Sequence, residues 1–280
     1  MKLGVLLLAL LCSCTAVPAG VPPPASESDS ARELLRISGI DESLSDWREF
    51  AEIFISKRRD LFDDPQSAAL DAALSAAFDP ERLRDGIVAQ FAEQFDPAAA
   101  RSVEAWFQSD LGRRIVQLEA EVGDPESRDA LSEYAASLRS NPPTAIRLRL
   151  TRRFDAASGY SADLIALHIA VARSVSNAFA PYLPEDERVS PEELEERFER
   201  LRPMLSAQTT GQIEASVLYA TRTLTIVEMA HYVEFVESPA GTWFFSNVGA
   251  GLVQGVTGAA EEVGAQVPRI FSGEEPPADS

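Results

Sequence analysis

A chain of 280 residues, 45% hydrophobic and 25% charged, is long and apolar enough to bury a substantial core. Its 44 acidic side chains outnumber 25 basic ones, for a net charge of −19. That excludes nucleic acid as a partner, because such binding rests on neutralising phosphates with a basic surface, and it disfavours electrostatic adhesion to anionic lipid. The only two cysteines, Cys12 and Cys14, lie close to the start. A chain that loses its first residues on export keeps no disulfide and must rely on its core.

Residues 1–19 read as a signal peptide: Lys2 precedes an apolar run from Leu3 to Leu11, and small residues follow. The run is too short for a permanent membrane helix, which needs about 20 residues. Two processing readings stand side by side. Cys14-Thr15-Ala16 and Val17-Pro18-Ala19 each suit an ordinary signal peptidase, whereas Leu11-Cys12-Ser13-Cys14 resembles a bacterial lipobox that would leave Cys14 lipidated. Membrane attachment would then run through that N-terminal lipid alone. Residues 20–28 form a Pro- and Ser-rich tether, and the acidic, Pro-containing residues 272–280 are expected to be disordered.

Between these ends the helix starts are nearly spelled out. Asp64-Pro65, Asp79-Pro80, Asp96-Pro97, Asp124-Pro125, Ser190-Pro191 and Ser238-Pro239 each set a capping side chain before a proline. Asp or Ser accepts from an unpaired N–H of the first turn, and Pro at the next position has no N–H to lose. Ser190 with Glu193 also has capping-box spacing. Apolar residues recur at helical period after each start. The predicted helices lie near 29–38, 45–62, 66–77, 80–95, 97–108, 110–122, 125–139, 143–156, 160–180, 191–202, 206–237 and 239–267. Weak strand-like alternation is confined to Ile146–Leu150. The fold class expected is all-α: a multi-helix bundle of two pseudo-repeated halves, 29–140 and 143–271.

The halves are suggested by a phrase that occurs twice. Trp106-Phe107-Gln108-Ser109-Asp110-Leu111-Gly112 is answered by Phe235-Val236-Glu237-Ser238-Pro239-Ala240-Gly241. Aromatic, Gln or Glu, Ser and Gly keep their spacing. The Ser would cap the second helix while the aromatic anchors the end of the first, and Gly would admit a neighbouring backbone. An exposed helix N-terminus can also hold an anion, but the structural role is preferred.

Phe235-x-Glu237-Ser238-Pro239-Ala240-Gly241 resembles the hallmark of a bacterial family called domain of unknown function 2059. The looser copy at Trp106–Gly112 resembles the first half of that family, and Ala31–Ile40 its opening helix. The resemblance implies an exported helical protein. It brings no catalytic residues to carry over.

Candidate chemistry is sparse. His168 lies in the apolar run Leu164–Val171 and reads as a core residue; His231 has Glu228 and Glu234 three positions to either side. Those three could form an acid–base site only if they converged in a cleft. No nucleophile elbow, zinc motif or phosphate loop occurs, so no catalytic residue, metal or cofactor is expected. Arg147, Arg149, Arg152 and Arg153 form one basic site, which could receive an anionic headgroup, cell-wall polymer or acidic partner, or pair with the chain's own carboxylates. Gly251, Gly255 and Ala259 share a helix face, with three readings: intramolecular packing, a homodimer seam, or the wall of an apolar cavity. The function expected is non-enzymatic binding or scaffolding of an envelope protein in the periplasm. The alternative is a carrier holding a hydrophobic or lipid ligand between the halves.

Overall fold

The computed structural model describes residues 26–123 and 125–273. The signal segment with Cys14, most of the tether, Asp124 and residues 274–280 lie outside the described residues. Among those described, the chain forms thirteen α-helices joined by turns and four short 3-10 segments, with no strand. The alternation at Ile146–Leu150 is helical, because Thr144 caps that segment by accepting from Arg147 N (3.3 Å).

The first helix, α1 (Glu27–Ile37), starts inside the expected tether, since Ser26 and Asp29 make a capping box. Then come α2 (Ile40–Ser43) and α3 (Asp46–Ile55), which tightens at its end into a 3-10 segment, Ser56–Leu61. In α4 (Asp64–Ala77) the cap is Asp63 rather than Asp64, because Gln66 closes the box with it. Asp79 and Asp96 each accept two backbone N–H groups and start α5 (Pro80–Glu93) and α6 (Pro97–Phe107). Next are α7 (Asp110–Gly123), α8 (Arg128–Ser137), α9 (Ala145–Ser158) and α10 (Tyr160–Phe179).

One boundary differs from the sequence expectation by a whole segment. The pattern predicts a break near Pro203, followed by one helix to 237. Instead α11 (Pro191–Ala220) runs through Pro203, and the break falls at 221–225. Pro203 is exposed, so its clash and missing N–H, at about 3 kcal/mol, fall on the solvent side. At the break, Thr225 and Glu228 form a capping box that starts α12 (Ile226–Val236). Ser190 makes its own half of the expected box at α11, while Glu193 faces Arg197 instead (3.7 Å). The last helix, α13 (Pro239–Ser272), includes Ser272 from the expected tail and ends at Gly273, φ 70°.

The helix α13 is central, touching α4, α5, α6, α9, α10 and α12. One apolar core gathers side chains from α1, α3 to α6, α10 and α13, among them Leu35, Leu70, Phe91, Phe244 and Val256. A second lies between α7, α9 and α12, around Ile115, Phe154, Met229 and Val233. Both cores draw on both sequence halves, and Phe235 and Phe245 pack against each of them. The glycine face of α13 meets α5: a Cβ on Gly251 would fall 2.7 Å from Ile87 Cα, and one on Gly255 would fall 3.3 Å from Leu83. Intramolecular packing thus occupies that face. The stretch Tyr160–Tyr182 is apolar and long enough to cross a membrane by length and composition, and here it packs on α13, α11 and α3.

Candidate functional site

The two copies of the repeated phrase have the same geometry. Ser109 Oγ donates to Trp106 O (2.6 Å) and accepts from Gly112 N (3.0 Å). Ser238 Oγ donates to Phe235 O (2.6 Å) and accepts from Gly241 N (3.1 Å). Each serine therefore ends one helix and begins the next, satisfying an orphan group on both sides. A Cβ on Gly112 would fall against Trp106 O and 2.9 Å from Phe107 Cα, and one on Gly241 against Phe235 O and 2.9 Å from Val236 Cα. Both glycines are needed because a backbone carbonyl occupies the Cβ position. Pro239 sits at the first helical position of α13, as its spacing implies. The two anchoring aromatics also touch each other, Trp106 and Phe235 having ring centroids 4.8 Å apart. The serines and glycines are accounted for by the helix joints themselves.

Three of the four arginines of the basic site have partners within the chain, although Arg152 and Arg153 remain exposed. Arg147 donates to Thr221 O (2.8 Å) and Leu224 O (2.6 Å), holding the break between α11 and α12. Arg152 pairs with Glu214 (2.9 Å) and Arg153 with Glu237 (2.6 Å). Among the described residues only Arg149 of these four lacks a polar partner, and it lines a shallow surface hollow of about 550 Å³ with Leu148 and Ala156.

The histidines are not brought into a site. His168 Nδ1 donates to Leu164 O (2.7 Å), and its ring is edge-on to Phe50 (4.8 Å). His231 is exposed. Glu228 is committed to the Thr225 cap, which holds its pKa low, and to Arg114 (2.7 Å), so Glu228, His231 and Glu234 form no acid–base cleft. No cluster of three potential metal ligands occurs among the described residues.

Two acidic groups that sequence reasoning missed stand apart. Tyr232, itself buried, donates to Glu119 Oε1 (2.8 Å). Glu119 keeps solvent-exposed surface as a residue, but that bond fixes its carboxyl end facing inward. Desolvation there raises its pKa to about 7, partly opposed by the Tyr232 hydrogen bond. The Tyr232 hydroxyl is pushed well above the ordinary tyrosine range by burial first and by the Glu119 charge second.

The second group is Asp163. Gly159, at φ 74°, makes the tight turn from α9 to α10, a conformation favoured by glycine. Asp163 follows one turn into α10, its N–H donating to Gly159 O (2.9 Å). Its carboxylate lies over Gly249 of α13, with Cγ only 2.9 Å from where a Cβ would stand. Asp163 lines an open groove of about 910 Å³ between the α9–α10 turn and α13. Ala157, Ala166, Ala250 and Gly258 keep this groove open by their small size, and Glu261 also lines it. The Asp163 carboxylate has no hydrogen-bond or ion-pair partner among the described residues, and desolvation raises its pKa. The sequence signal was the lone acid in the first turns of an apolar helix; its partner glycine lies too far along the chain to be read.

Residues 81–139 match the model of a family described as "Uncharacterized protein conserved in bacteria (DUF2059)". The match spans α5 to just beyond α8 and includes the first copy of the phrase, Trp106–Gly112, bearing out the resemblance to that family; Ala31–Ile40 and Phe235–Gly241 lie outside it. No curated protein matches the chain, and no solved structure does.

Proposed function

We propose that this protein is a non-enzymatic binding or scaffolding module of the bacterial cell envelope, and that its binding surface is the groove between the α9–α10 turn and α13. The observation that carries this reading is the open volume of about 910 Å³ with a carboxylate in its wall that has no partner among the described residues. Elsewhere, the cleft among Phe78, Phe179 and Val263 holds only about 10 Å³, room for about one water. A carrier of an acyl chain would need an enclosed apolar pocket of several hundred Å³. Export is proposed from Lys2, the apolar run Leu3–Leu11 and the lipobox-like Leu11–Cys14.

The test fills the groove. A Cβ added to Gly258 would meet nothing within 4 Å, so Gly258→Trp adds bulk there without entering the core. Affinity capture from the native envelope should recover a partner with the unaltered protein and lose it with Gly258→Trp. Equal capture by both would remove the groove from consideration.

A further inference from the structure

The geometry points to the class of partner: we infer that the groove receives a protein segment bearing a Lys or Arg, whose cation lies on Asp163. This rests on the groove being the binding surface. The chain carries many carboxylates, and several that link neighbouring elements are paired. Arg59 bridges Glu52 and Asp71, Arg82 holds Glu262, and Arg84 holds Asp41. The Asp163 carboxylate has no partner among the described residues, although it is partly desolvated. It is also pre-positioned, since the missing side chain of Gly249 provides its seat and the α9–α10 turn fixes its helix. A desolvated charge with no partner costs stability unless a counter-charge arrives. The second carboxylate of the groove, Glu261, is exposed and also unpartnered among the described residues, so charge complementarity calls for a cation. The small residues of the walls admit a peptide backbone at close range, which suits a protein segment better than a bulky headgroup.

The experiment places a photo-crosslinking side chain at Gln254, an exposed groove residue, in the full-length chain in its native envelope. Adducts are mapped by peptide mass spectrometry in three backgrounds: unaltered, Asp163→Asn and Gly258→Trp. A synthetic peptide of the captured segment is then titrated against the purified protein, together with its Lys→Gln or Arg→Gln form. The inference expects adducts centred on a Lys- or Arg-bearing segment, abolished by Gly258→Trp. It expects Asp163→Asn, and equally the neutralised peptide, to weaken binding by about tenfold or more, with thermal stability of Asp163→Asn unchanged or raised. Adducts lost with Gly258→Trp but unaffected by Asp163→Asn would overturn the cation while leaving the groove. Adducts unaffected by both, or none at all, would overturn both. A lipid adduct in place of a peptide would overturn the protein partner.

Discussion

One substitution made at two kinds of site gives opposite results if the helix joint is built as described. In Gly241→Ala, the new methyl would fall against Phe235 O and 2.9 Å from Val236 Cα, and neither can yield without opening the α12–α13 joint. Alanine gains about 1 kcal/mol over glycine in a helix interior. Overpacking costs about 1–3 kcal/mol, and more where the obstacle is backbone. The clash therefore exceeds the gain, for a net loss of about 2 kcal/mol, and Gly112→Ala, against Trp106 O, should lose a similar amount. Gly258, with no neighbour in reach, should show the gain alone. At about 2–4 °C per kcal/mol for a domain of this size, Gly241→Ala lowers the melting temperature by about 4–8 °C, and Gly258→Ala raises it by about 2–4 °C. Circular dichroism at 222 nm on heating measures both. Equal shifts for Gly241→Ala and Gly258→Ala would refute the account of the joint.

Further outcomes follow from single contacts. Arg147→Ala removes both donors from Thr221 O and Leu224 O and should cost about 2–3 kcal/mol in urea unfolding; an unchanged midpoint would mean that the helix break is held otherwise. Trp106 Nε1 is buried without a hydrogen-bond partner among the described residues. Trp106→Phe should therefore cost less than about 1.5 kcal/mol, and Trp106→Ala about 3 kcal/mol, compared by the same unfolding curves. Glu119 has a folded pKa of about 7 against an ordinary glutamate value of 4.5, so between these the folded state binds the extra proton. Stability from this group is complete below pH 4.5 and falls as pH rises through 7. Glu119→Gln should flatten that decline, and a parallel decline in the variant would assign it to other groups.

Local features of the fold were legible because they are written in neighbouring residues. Asp79-Pro80, Asp96-Pro97 and Ser238-Pro239 mark helix starts that the backbone uses, and the twin phrase names both joints down to the serine and the glycine. The break at 221–225 was not legible. Its Thr225–Glu228 box lies within an apolar helical pattern, and the Arg147 that holds it comes from another helix. Pro203 misleads for the converse reason: proline penalises a helix locally, but the rest of α11 packs on α10, α8, α9 and α7. The same limit governs the site. Pairing of Arg152 and Arg153 with the chain's own carboxylates was one of the readings the sequence offered, but which acceptors they and Arg147 use was not legible, because those arrive from distant parts of the chain. Asp163 is marked by what it lacks, and its position over Gly249 depends on two helices that no local pattern brings together.

The most direct measurement on the proposed binding role is a native mass spectrum of the protein isolated gently from its own cells. An open-groove binding module predicts the mass of the polypeptide, with or without an N-terminal acyl modification, and any larger species should carry a protein partner. A stoichiometric lipid-sized mass beyond the N-terminal acyl group, retained through extraction, would contradict that reading and make the protein a carrier.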